Sequence, residues 1–361
     1  MRSYPLELLT ELKKTRVSHE NGIAVKIKPI PDDHRSGVLD PRVLVRIKQK
    51  KQYKDSEVKN EIDRDSIHLN SMRSQMGAKS CDLTTQEITI TEKLIPVGLH
   101  YINTRIYSNS NQTNETKKVA IYFHGGGFFG GSAAMLDHQC QLIAEKSNAL
   151  VLSPDYRLAP ETPFPCGLED CLGIINWVSS NYKDLHSVPN HIVLIGDSAG
   201  GNLAVVCALN DQKQRIKSVI SLYGAFDINP PETSYGGWDY SAYTMDNKQR
   251  SFIHSRLNRF RILADAVRAL YIPGNISVNH PDICPLYADN LDQLPPVTLI
   301  EAEFDYFRLS NDQLAKKITE AGKQIDVIRY LGMDHGFFDR LGENPQTEDC
   351  IEEIAQIIKN A

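Results

Sequence analysis

The feature that most limits how this chain can fold is a regular alternation of short apolar runs and helical stretches in its central part. The predicted strands cover residues 119–123, 149–155, 191–197 and 216–224, and the predicted helices between them cover 135–147, 168–182 and 199–209. A strand that is apolar along its whole length is buried on both faces, and strands joined through helices run parallel. The pattern therefore predicts an α/β fold, with a mostly parallel central sheet flanked by helices.

This alternation is interrupted once and then resumes. Residues 228–287 combine a stretch rich in Pro, Gly, Tyr and Trp with a long charged helical segment, and no strand is evident there. Further strands are predicted at 296–302 and 325–331, and further helices at 309–321 and 347–360. Because the interruption separates two parts of one alternating pattern, we interpret it as an insertion.

The first 84 residues are polar and irregular, and they predict helix and loop without strand alternation. Two strands follow at 86–92 and 99–107, and a polar loop is predicted at 108–118. The chain is therefore divided into an N-terminal helical part (1–84), a first core part (85–227), the insertion (228–287) and a second core part (288–361).

Composition restricts the partners and the compartment of the protein. The chain has 361 residues, of which 41% are hydrophobic, and this is enough to bury a sizeable core. Its formal net charge of -5 predicts no general attraction to nucleic acid or to an anionic membrane. The sequence has neither a signal-peptide pattern nor an apolar run near the roughly 18 residues that span a bilayer. The seven cysteines are scattered without a C-x-x-C pair, so we expect reduced thiols and a cytoplasmic protein.

The sequence Gly-Asp-Ser-Ala-Gly-Gly at 196–201 lies between a predicted strand and a predicted helix, and Ser198 is the serine of its G-x-S-x-G pattern. Small flanking residues allow the strand to turn so tightly that the serine hydroxyl is lifted above the carboxyl end of the sheet. There the dipole of the following helix favours developing negative charge. Ser198 is therefore a candidate nucleophile. The alternative is a serine that occurs by chance in a strand–helix turn.

A nucleophilic serine requires a base, and the base requires a group that orients it. Asp305 and His335 each come just after a predicted strand downstream of the serine. The order Ser, Asp, His is the chain order of the α/β-hydrolases. Glu301, Glu303 and Asp334 are competing acids, although Asp334 adjoins His335 in sequence and can hardly orient it across a site.

Three consecutive glycines follow His124 directly after the first apolar run. Fixing glycine costs conformational entropy, so a triple glycine indicates a sharp turn or a close approach of the backbone to a ligand. Acyl transfer creates an oxyanion that requires N–H donors, and these come from such a loop and from the residue after the nucleophile. The predicted oxyanion hole consists of Gly125, Gly126, Gly127 and Ala199.

A dinucleotide-binding site is the competing interpretation of this loop. The segment from Gly125 to Gly130 fits the pattern G-x-G-x-x-G, and Asp155 ends the next predicted strand, where a ribose-binding acid is expected. This pattern is weak on its own, and it leaves the GDSAGG sequence around Ser198, Asp305 and His335 without a role. We therefore favour the oxyanion-hole interpretation.

Five segments, in this order, resemble the hormone-sensitive-lipase-like branch of the α/β-hydrolases, which includes bacterial acetyl esterases and arylacetamide-deacetylase-type enzymes. They are HGGGF (124–128), SPDYRLAPE (153–161), GDSAGGNLA (196–204), PPVTLIEAEFDYFR (295–308) and DHGF (334–337). The resemblance covers about residues 119–340, and the first 84 residues match weakly or not at all. It implies an α/β-hydrolase fold with a helical cap built from the N-terminal segment and the insertion.

The resemblance also implies roles for the three candidate catalytic residues. Ser198 would be the nucleophile, His335 the general base and acid, and Asp305 the orienting carboxylate. The family usually has Asp-Pro-Leu-Arg-Asp at the acid, whereas this chain has Asp-Tyr-Phe-Arg-Leu from Asp305 onwards. The catalytic position is intact, but the proline and the second acid that would brace it are replaced.

In the oxyanion loop, the resemblance assigns different roles to neighbouring residues. Gly126, Gly127 and Ala199 would donate their N–H groups to the oxyanion, and Gly125 would shape the turn. His124 would brace the loop rather than react, and it has no partners at the spacing of metal ligands.

Aromatic residues of the insertion either line a pocket for the substrate or form the core of the cap itself. They are Tyr235, Trp238, Tyr240, Tyr243 and Phe252. Of these, Tyr235 and Trp238 are the predicted substrate-binding residues.

The function implied by the resemblance is that of a serine carboxylesterase acting on short- to medium-chain acyl esters, without cofactor or metal. Its partner would be a small-molecule ester, and a homodimer is one expected assembly because dimers are common in the family. Two alternatives stay open. One is amidase, deformylase or peptidase activity on the same triad. The other is a non-catalytic small-molecule-binding protein on this fold, as in the plant gibberellin receptors, in which the catalytic histidine is replaced.

Overall fold

The computed structural model describes residues 1–52, 68–110 and 116–361, with the backbone alone at residues 50–52, and its strands lie in one sheet. The strands in these ranges are β1 (Arg16–Glu20), β2 (Ile23–Lys28), β3 (Ile88–Val97), β4 (His100–Asn109), β5 (Lys117–Phe123), β6 (Leu150–Pro154), β7 (Ser187–Asp197), β8 (Ile216–Leu222), β9 (Val297–Phe304) and β10 (Ile325–Asp334). Neighbouring strands follow the order β1-β2-β10-β9-β8-β7-β5-β6-β4-β3.

The middle of the sheet is parallel and its margins are antiparallel. In the spatial order of the sheet, β2-β10-β9-β8-β7-β5-β6, every pair of neighbouring strands runs parallel. The pairs β1–β2, β4–β6 and β3–β4 run antiparallel. The predicted α/β fold with a mostly parallel sheet is thus confirmed.

Helices cover both faces of this sheet. In the described residues they are α1 (Glu7–Leu12), α2 (Pro41–Gln52), α3 (Leu69–Ser74), α4 (Asp137–Ser147), α5 (Cys166–Ser180), α6 (Ala199–Leu209), α7 (Arg250–Tyr271), α8 (Arg308–Glu320) and α9 (Pro345–Asn360). The helices predicted between the core strands correspond to α4, α5, α6, α8 and α9 within a few residues. Among all these helices, none combines the length and the apolar character that a bilayer span needs.

The central strands are buried on both faces, as their continuous apolar sequences predict. In β5, Val119, Ile121 and Phe123 pack into the core on one side of the sheet. Ala120 and Tyr122 pack into the core on the other side. Because successive side chains of a strand point to opposite faces, two separate cores require apolar residues at every position.

The N-terminal segment differs from its prediction, because it contributes two strands to the sheet. β1 and β2 form an antiparallel hairpin around Asn21 and Gly22, whose φ angles are 52° and 83°. Asn-Gly is the preferred residue pair for such a turn. β2 also pairs in parallel with β10, where Val25 lies opposite Val327. The prediction of helix and loop without strands is therefore wrong here, since burial of β2 depends on a partner near the other end of the chain.

The insertion follows its prediction more closely. Between residues 228 and 287, all of which are described, the structure has short 3-10 turns and α7 but no strand. The limits of a cap made from this insertion and the N-terminal part stay a prediction. Residues 53–67 of that part, and residues 111–115 of the loop predicted at 108–118, lie outside the described residues.

The strand order brings the candidate residues to one edge of the sheet. β10, β9, β8, β7 and β5 are consecutive neighbours and run parallel, so their carboxyl ends lie side by side. His124 directly follows β5, Ser198 follows β7, Asp305 follows β9 and His335 follows β10. Ligands of open α/β sheets bind at this edge.

Candidate active site

Ser198 lies in a sharp turn between β7 and α6. Its φ angle is 54°, a value that residues other than glycine rarely adopt, and its N–H donates to the carbonyl oxygen of Leu222 at 2.9 Å. A Cβ atom at Gly196 would lie 2.2 Å from the carbonyl oxygen of Gly200. A Cβ atom at Gly200 would lie 1.9 Å from the carbonyl oxygen of Phe123. Gly196 is therefore required by the turn itself, and Gly200 is required by the close approach of α6 to the end of β5.

Three side chains are joined by hydrogen bonds at this edge. Nε2 of His335 lies 2.9 Å from Oγ of Ser198, and Nδ1 of His335 lies 2.8 Å from Oδ2 of Asp305. The serine, histidine and aspartate are 9%, 7% and 1% exposed. When the carboxylate accepts the Nδ1–H, the other ring nitrogen is left to accept the serine proton. Such an arrangement can activate a hydroxyl group as a nucleophile.

The competing acids are occupied elsewhere. Glu301 accepts a hydrogen bond from the guanidinium group of Arg329 at 2.8 Å, and Glu303 accepts the N–H of Gly332 at 2.7 Å. Asp334 forms its own ion pairs, described below. In the described residues, Asp305 is thus the acid that contacts the ring of the candidate base.

Asp334 forms a buried ion-pair cluster next to His335. Arg46 of α2 and Arg256 of α7 lie 2.7 and 2.6 Å from its two carboxylate oxygens. Burial alone would raise the pKa of Asp334, but Arg256 and Arg46 overcome this effect and hold the pKa well below its usual range. The carboxylate therefore stays charged and links α2, α7 and the end of β10.

Aromatic rings surround the imidazole of His335. The ring centroids of Phe260, Tyr223 and Phe307 lie 4.2, 4.8 and 5.5 Å from that of the histidine. Phe260 belongs to α7, so the insertion contributes directly to this wall. Apolar surroundings lower the local dielectric, which strengthens the hydrogen bonds of the histidine.

The loop that carries Asp305 is held from two sides. Oδ1 of Asp305 accepts the N–H of Phe307 at 2.9 Å, and the carbonyl oxygen of Asp305 accepts the hydroxyl of Tyr243 at 2.7 Å. The indole N–H of Trp238 donates to the carbonyl oxygen of Tyr306 at 2.8 Å. Aromatic residues of the insertion thus brace the loop in which the proline and the second acid of the family pattern are replaced.

The two predicted substrate-binding residues contact both the insertion and the second core part. The ring of Tyr235 packs edge-on against Tyr287 with 5.4 Å between centroids, and Trp238 braces the acid loop. Among the described residues, no hydrogen bond or ring contact joins either side chain to Ser198 or His335. Neither alternative is decided by these contacts, so a role of the two residues in binding substrate stays a prediction.

Gly126 and Gly127 form the tip of the loop after β5, with φ angles of 127° and 61°. The carbonyl oxygen of Gly126 accepts the N–H groups of Phe129 at 3.2 Å and of Gly130 at 2.9 Å. A Cβ atom at Gly126 would lie 2.1 Å from the carbonyl oxygen of Gly130. In the described ranges no hydrogen bond uses the N–H of Gly126 or Gly127. Ala199 starts α6, whose first N–H groups have no carbonyl partner within the helix.

Gly125, a member of the predicted oxyanion hole to which the resemblance assigns the shaping of the turn, differs from its two neighbours. Its N–H donates to Oδ1 of Asp197 at 2.8 Å, and the hydroxyl of Tyr122 donates to the same oxygen at 3.1 Å. A Cβ atom at Gly125 would lie 2.3 Å from the other carboxylate oxygen. Because its N–H is already used, Gly125 shapes the turn and is not available to bind an oxyanion.

The carboxyl group of Asp197 is itself perturbed. Burial, together with the nearby carboxylate of Asp339, raises the pKa of Asp197 to about 7. Burial raises the pKa of Asp339 to about 6. Two interacting acids with raised pKa values therefore belong to this region, and Asp197 directly precedes Ser198.

His124 packs inside the loop. Its Nδ1 donates to the carbonyl oxygen of Gly125 at 2.8 Å, and its ring stacks on Tyr156 with 4.4 Å between centroids. The hydroxyl of Tyr156 donates to the carbonyl oxygen of His124 at 2.7 Å. Burial lowers the pKa of His124, so the ring is neutral at physiological pH. Within the described ranges, no group of three or more His, Cys, Asp or Glu side chains is arranged to bind a metal ion.

Sequence reasoning does not identify Asp197, Phe260 or Tyr223 as parts of this site. A signal exists for Asp197, because an acid at the end of an otherwise apolar strand needs a partner when buried. Phe260 lies in a charged helical segment, and its contact with the histidine depends on how α7 crosses the sheet. Tyr223 directly follows β8, which is the same position that marks the other site residues.

Comparison with known proteins finds a matching family and several similar proteins. A family model described by the α/β-hydrolase fold matches residues 120–339. A lipase of Moraxella is 28% identical over 71% of this chain and 64% of its own length. A carboxylesterase of Mycobacterium tuberculosis is 30% identical over 70% of this chain and 76% of its own length. The solved structure of a hyperthermophilic esterase from the archaeon Pyrobaculum calidifontis superimposes with a TM-score of 0.72 at 26% identity, covering 90% of this chain and 98% of that one.

The chain thus spans slightly less than two thirds of the Moraxella lipase, and more of the other two proteins. The family match covers the four strands whose carboxyl ends carry the candidate site residues, since β5, β7, β9 and β10 all lie within it or overlap its start.

Proposed function

Because the chain belongs to the α/β-hydrolase family whose model matches residues 120–339, we propose that it is a serine carboxylesterase acting on short- to medium-chain acyl esters. The observation that carries the proposal is the unbroken line of hydrogen bonds from Ser198 through His335 to Asp305. The names of the relatives, an esterase, a carboxylesterase and a lipase, support the same class of substrate. A cap over the site, a homodimer and a cytoplasmic location remain parts of the proposal that rest on the sequence.

The first half-reaction forms an acyl-enzyme. Oγ of Ser198 attacks the carbonyl carbon of the ester while Nε2 of His335 accepts the hydroxyl proton, and Asp305 stabilises the resulting imidazolium. The carbonyl oxygen becomes an oxyanion that the N–H groups of Gly126, Gly127 and Ala199 bind. When the tetrahedral intermediate collapses, the bond to the alcohol oxygen breaks, and the imidazolium protonates the departing alkoxide. The acyl group stays on Ser198 as an ester.

The second half-reaction releases the acid. Nε2 of His335 accepts a proton from a water molecule, whose oxygen attacks the acyl carbon of the Ser198 ester. The same N–H donors bind the second oxyanion. Collapse breaks the bond to Oγ, and the histidine returns the proton to the serine. The neutral His335 and the free hydroxyl are thereby restored, and one water molecule has been consumed for each ester bond.

The proposal is tested with p-nitrophenyl acetate, butyrate and octanoate, using the purified protein beside Ser198→Ala and the matched variant Ser3→Ala. Wild type and Ser3→Ala are expected to release p-nitrophenol, because the Ser3 hydroxyl donates to the carbonyl oxygens of Gly342 and Glu343 and not to a residue of the proposed triad. Ser198→Ala is expected to lose on the order of 10³-fold or more in kcat. Retention of activity in Ser198→Ala would contradict the nucleophile assignment.

Inactivity of the wild type on all three esters would contradict the esterase proposal. The other two functional classes then have their own readouts. Hydrolysis of the matched p-nitroanilides with no ester hydrolysis would indicate an amidase. Ligand-dependent shifts of the unfolding temperature without turnover would indicate a binding protein on the same fold.

A further inference from the structure

Arg73 of α3 reaches from the N-terminal segment to the back of the oxyanion loop. Its Nε donates to the carbonyl oxygen of Phe129 at 2.6 Å, and its Nη2 donates to the carbonyl oxygen of Ala159 at 2.9 Å. The sulfur of Met76 lies beside Gly130, since a Cβ atom there would be 2.3 Å away from it. A segment outside the family match therefore contacts the loop that follows β5.

The contact continues through two peptide groups. The carbonyl of Phe129 and the N–H of Gly130 belong to one peptide group, so the group that accepts from Arg73 also donates to the carbonyl oxygen of Gly126 at 2.9 Å. That carbonyl shares its peptide group with the N–H of Gly127. A trans peptide group points its N–H and its C=O in opposite directions. A continuous line of two hydrogen bonds and two peptide groups thus runs from the guanidinium group of Arg73 to the N–H of Gly127.

Such a line has an electrostatic consequence. A hydrogen bond from a charged donor is stronger than a neutral one, and hydrogen bonds in series polarise each other. The positive charge at one end therefore makes the N–H at the other end a better donor. It also limits rotation of both peptide groups, which fixes the direction of that N–H.

We propose that Arg73 is a positioning residue of the oxyanion hole, which orients and polarises the Gly127 N–H through the Phe129–Gly130 and Gly126–Gly127 peptide groups. The inference rests on the proposed function, because it assigns a role to a donor of that reaction. It predicts that Arg73 contributes more to the transition state than to substrate binding, since the oxyanion exists only after attack.

Glu161 provides a control that distinguishes the effect of the hydrogen bond from Arg73 to Phe129 from the effect of the ion pair between Arg73 and Glu161. The two side chains form a two-point contact at 2.8 and 2.6 Å, and the hydrogen bonds from Arg73 lower the pKa of Glu161 to about 2. The carboxylate side chain is 59% exposed, so the pair contributes little to stability. Removing the Glu161 charge leaves the bond from Arg73 to Phe129 in place.

A second control uses the position of Arg73 at the surface. Its side chain is 27% exposed. It lines a surface pocket of about 470 Å³ together with Met135, Leu158 and Glu161. A guanidinium ion from solution can therefore enter the space that Arg73→Ala leaves, next to the carbonyl oxygen of Phe129.

The experiment measures how fast Ser198 is phosphonylated by a fluorophosphonate, because this reaction needs the triad and the oxyanion donors but no particular ester. Wild type, Arg73→Met, Arg73→Ala and Glu161→Gln are followed by intact mass, and kcat and KM on p-nitrophenyl butyrate are measured in parallel. Folding of each variant is checked by thermal unfolding.

The expected result is labelling about tenfold slower in Arg73→Met and Arg73→Ala, less than the 10²- to 10³-fold loss for removing a direct donor. A similar loss is expected in kcat, with KM within about twofold. Guanidinium chloride, but not sodium chloride at the same ionic strength, is expected to restore labelling in Arg73→Ala. Glu161→Gln is expected to label within about twofold of wild type.

Labelling of Arg73→Met at the wild-type rate would overturn the proposal, as would an equal loss in Glu161→Gln or the absence of guanidinium rescue in folded Arg73→Ala. If Arg73→Ala does not fold, the labelling rate of Arg73→Met alone tests the proposal. A wild type that is labelled but hydrolyses no ester would contradict the proposed function alone. A wild type that is not labelled would contradict both.

Discussion

The carboxylate of Asp197 accepts the N–H of Gly125 at 2.8 Å, and this bond joins the residue before the nucleophile to the first glycine of the oxyanion loop. The two sequence motifs of the site are therefore in direct contact. Asp197 also directly precedes the strained Ser198, so its carboxylate links the turn after β7 to the loop after β5. The turn that carries the nucleophile and the loop that carries the proposed oxyanion donors are thus held together by Asp197.

The raised pKa of Asp197 predicts that the stability of the protein depends on pH. The pKa of Asp197 is raised to about 7, above its unfolded value, so the folded state binds more protons between about pH 4 and pH 7. Its contribution to stability is complete below that window and is lost as pH rises through it. The groups that face it are Asp339, Tyr122, Tyr223 and His335.

Asp197→Asn removes this titration while its amide oxygen can still accept the Gly125 N–H. We expect its free energy of unfolding, relative to that of the wild type, to increase by about 1 to 3 kcal/mol between pH 4.5 and pH 7.5. Urea unfolding at both pH values measures this difference, with the exposed Asp184→Asn as control. A difference that does not change with pH would show that Asp197 does not titrate in this range.

Asp305→Asn tests the orienting acid. The amide can donate to Nδ1 of His335 and so favour the wrong tautomer, in which Nε2 carries the proton and cannot accept that of Ser198. We expect kcat for p-nitrophenyl butyrate to fall on the order of 10³- to 10⁴-fold, with the unfolding temperature nearly unchanged. Asp326→Asn, an exposed acid on β10, is the control. Comparable activity of the two variants would mean that another acid orients the base.

Gly126→Ala tests the shape of the oxyanion loop. The added Cβ would lie 2.1 Å from the carbonyl oxygen of Gly130, at a φ of 127° that alanine rarely adopts. We expect a loss of about 2 kcal/mol or more in unfolding free energy, and a fall in kcat on the order of 10²-fold. Gly274→Ala is the matched control, because a Cβ there meets no atom within 4 Å. If both variants behave alike, the loop tolerates a side chain.

Tyr243→Phe tests the brace of the acid loop. The variant removes the hydroxyl that donates to the carbonyl oxygen of Asp305 at 2.7 Å, and leaves that carbonyl without this partner. We expect unfolding free energy to decrease by about 1 to 2 kcal/mol, together with a severalfold lower kcat. Tyr240→Phe, in the same segment, controls for the loss of a tyrosine hydroxyl. Unchanged stability and kcat in Tyr243→Phe would show that this hydrogen bond contributes neither to stability nor to catalysis.

Lys28→Met tests the place of the N-terminal hairpin in the core. Nζ of the fully buried Lys28 lies 2.7 Å from the buried Asp349 and 2.6 Å from Glu353, and its removal leaves Asp349 with the half-exposed Lys13 as its remaining cation, at 2.8 Å. We expect a loss of about 3 kcal/mol in unfolding free energy. Lys26→Met, which breaks a half-exposed pair with Glu353 at 2.8 Å, should lose about 1 kcal/mol or less. Equal losses in both variants would contradict the buried role of Lys28.

Much of the sheet could be predicted because its signals are local. A strand that is apolar throughout, such as β5, is recognisable without knowledge of its partners. The same holds for the turn at Ser198, where a Cβ atom at Gly196 would clash with the carbonyl oxygen of the nearby Gly200. The predicted α/β-hydrolase family is confirmed for this reason, since its motifs lie in such turns.

Features that depend on distant partners were beyond this reasoning. β2 becomes a core strand only because β10 lies beside it, although Asn21 and Gly22 carry a readable hairpin signal. The use of the Gly125 N–H by Asp197 requires two turns to meet in space. Phe260 reaches His335 only because α7 crosses the carboxyl edge of the sheet.

The pairing of β2 with β10 has a consequence for the order in which the protein folds. The hairpin of residues 16–28 is synthesised early, yet its inner edge has no partner until residues 325–334 have been made. Contacts with such a large sequence separation form slowly, because a long loop must close first. Until then Val25 and Ile27, which are buried in the folded protein, lie on a strand without its inner partner, and unpaired apolar strands are prone to association with other chains. β10, which leads into His335, can pair with β2 only after residues 325–334 have been made.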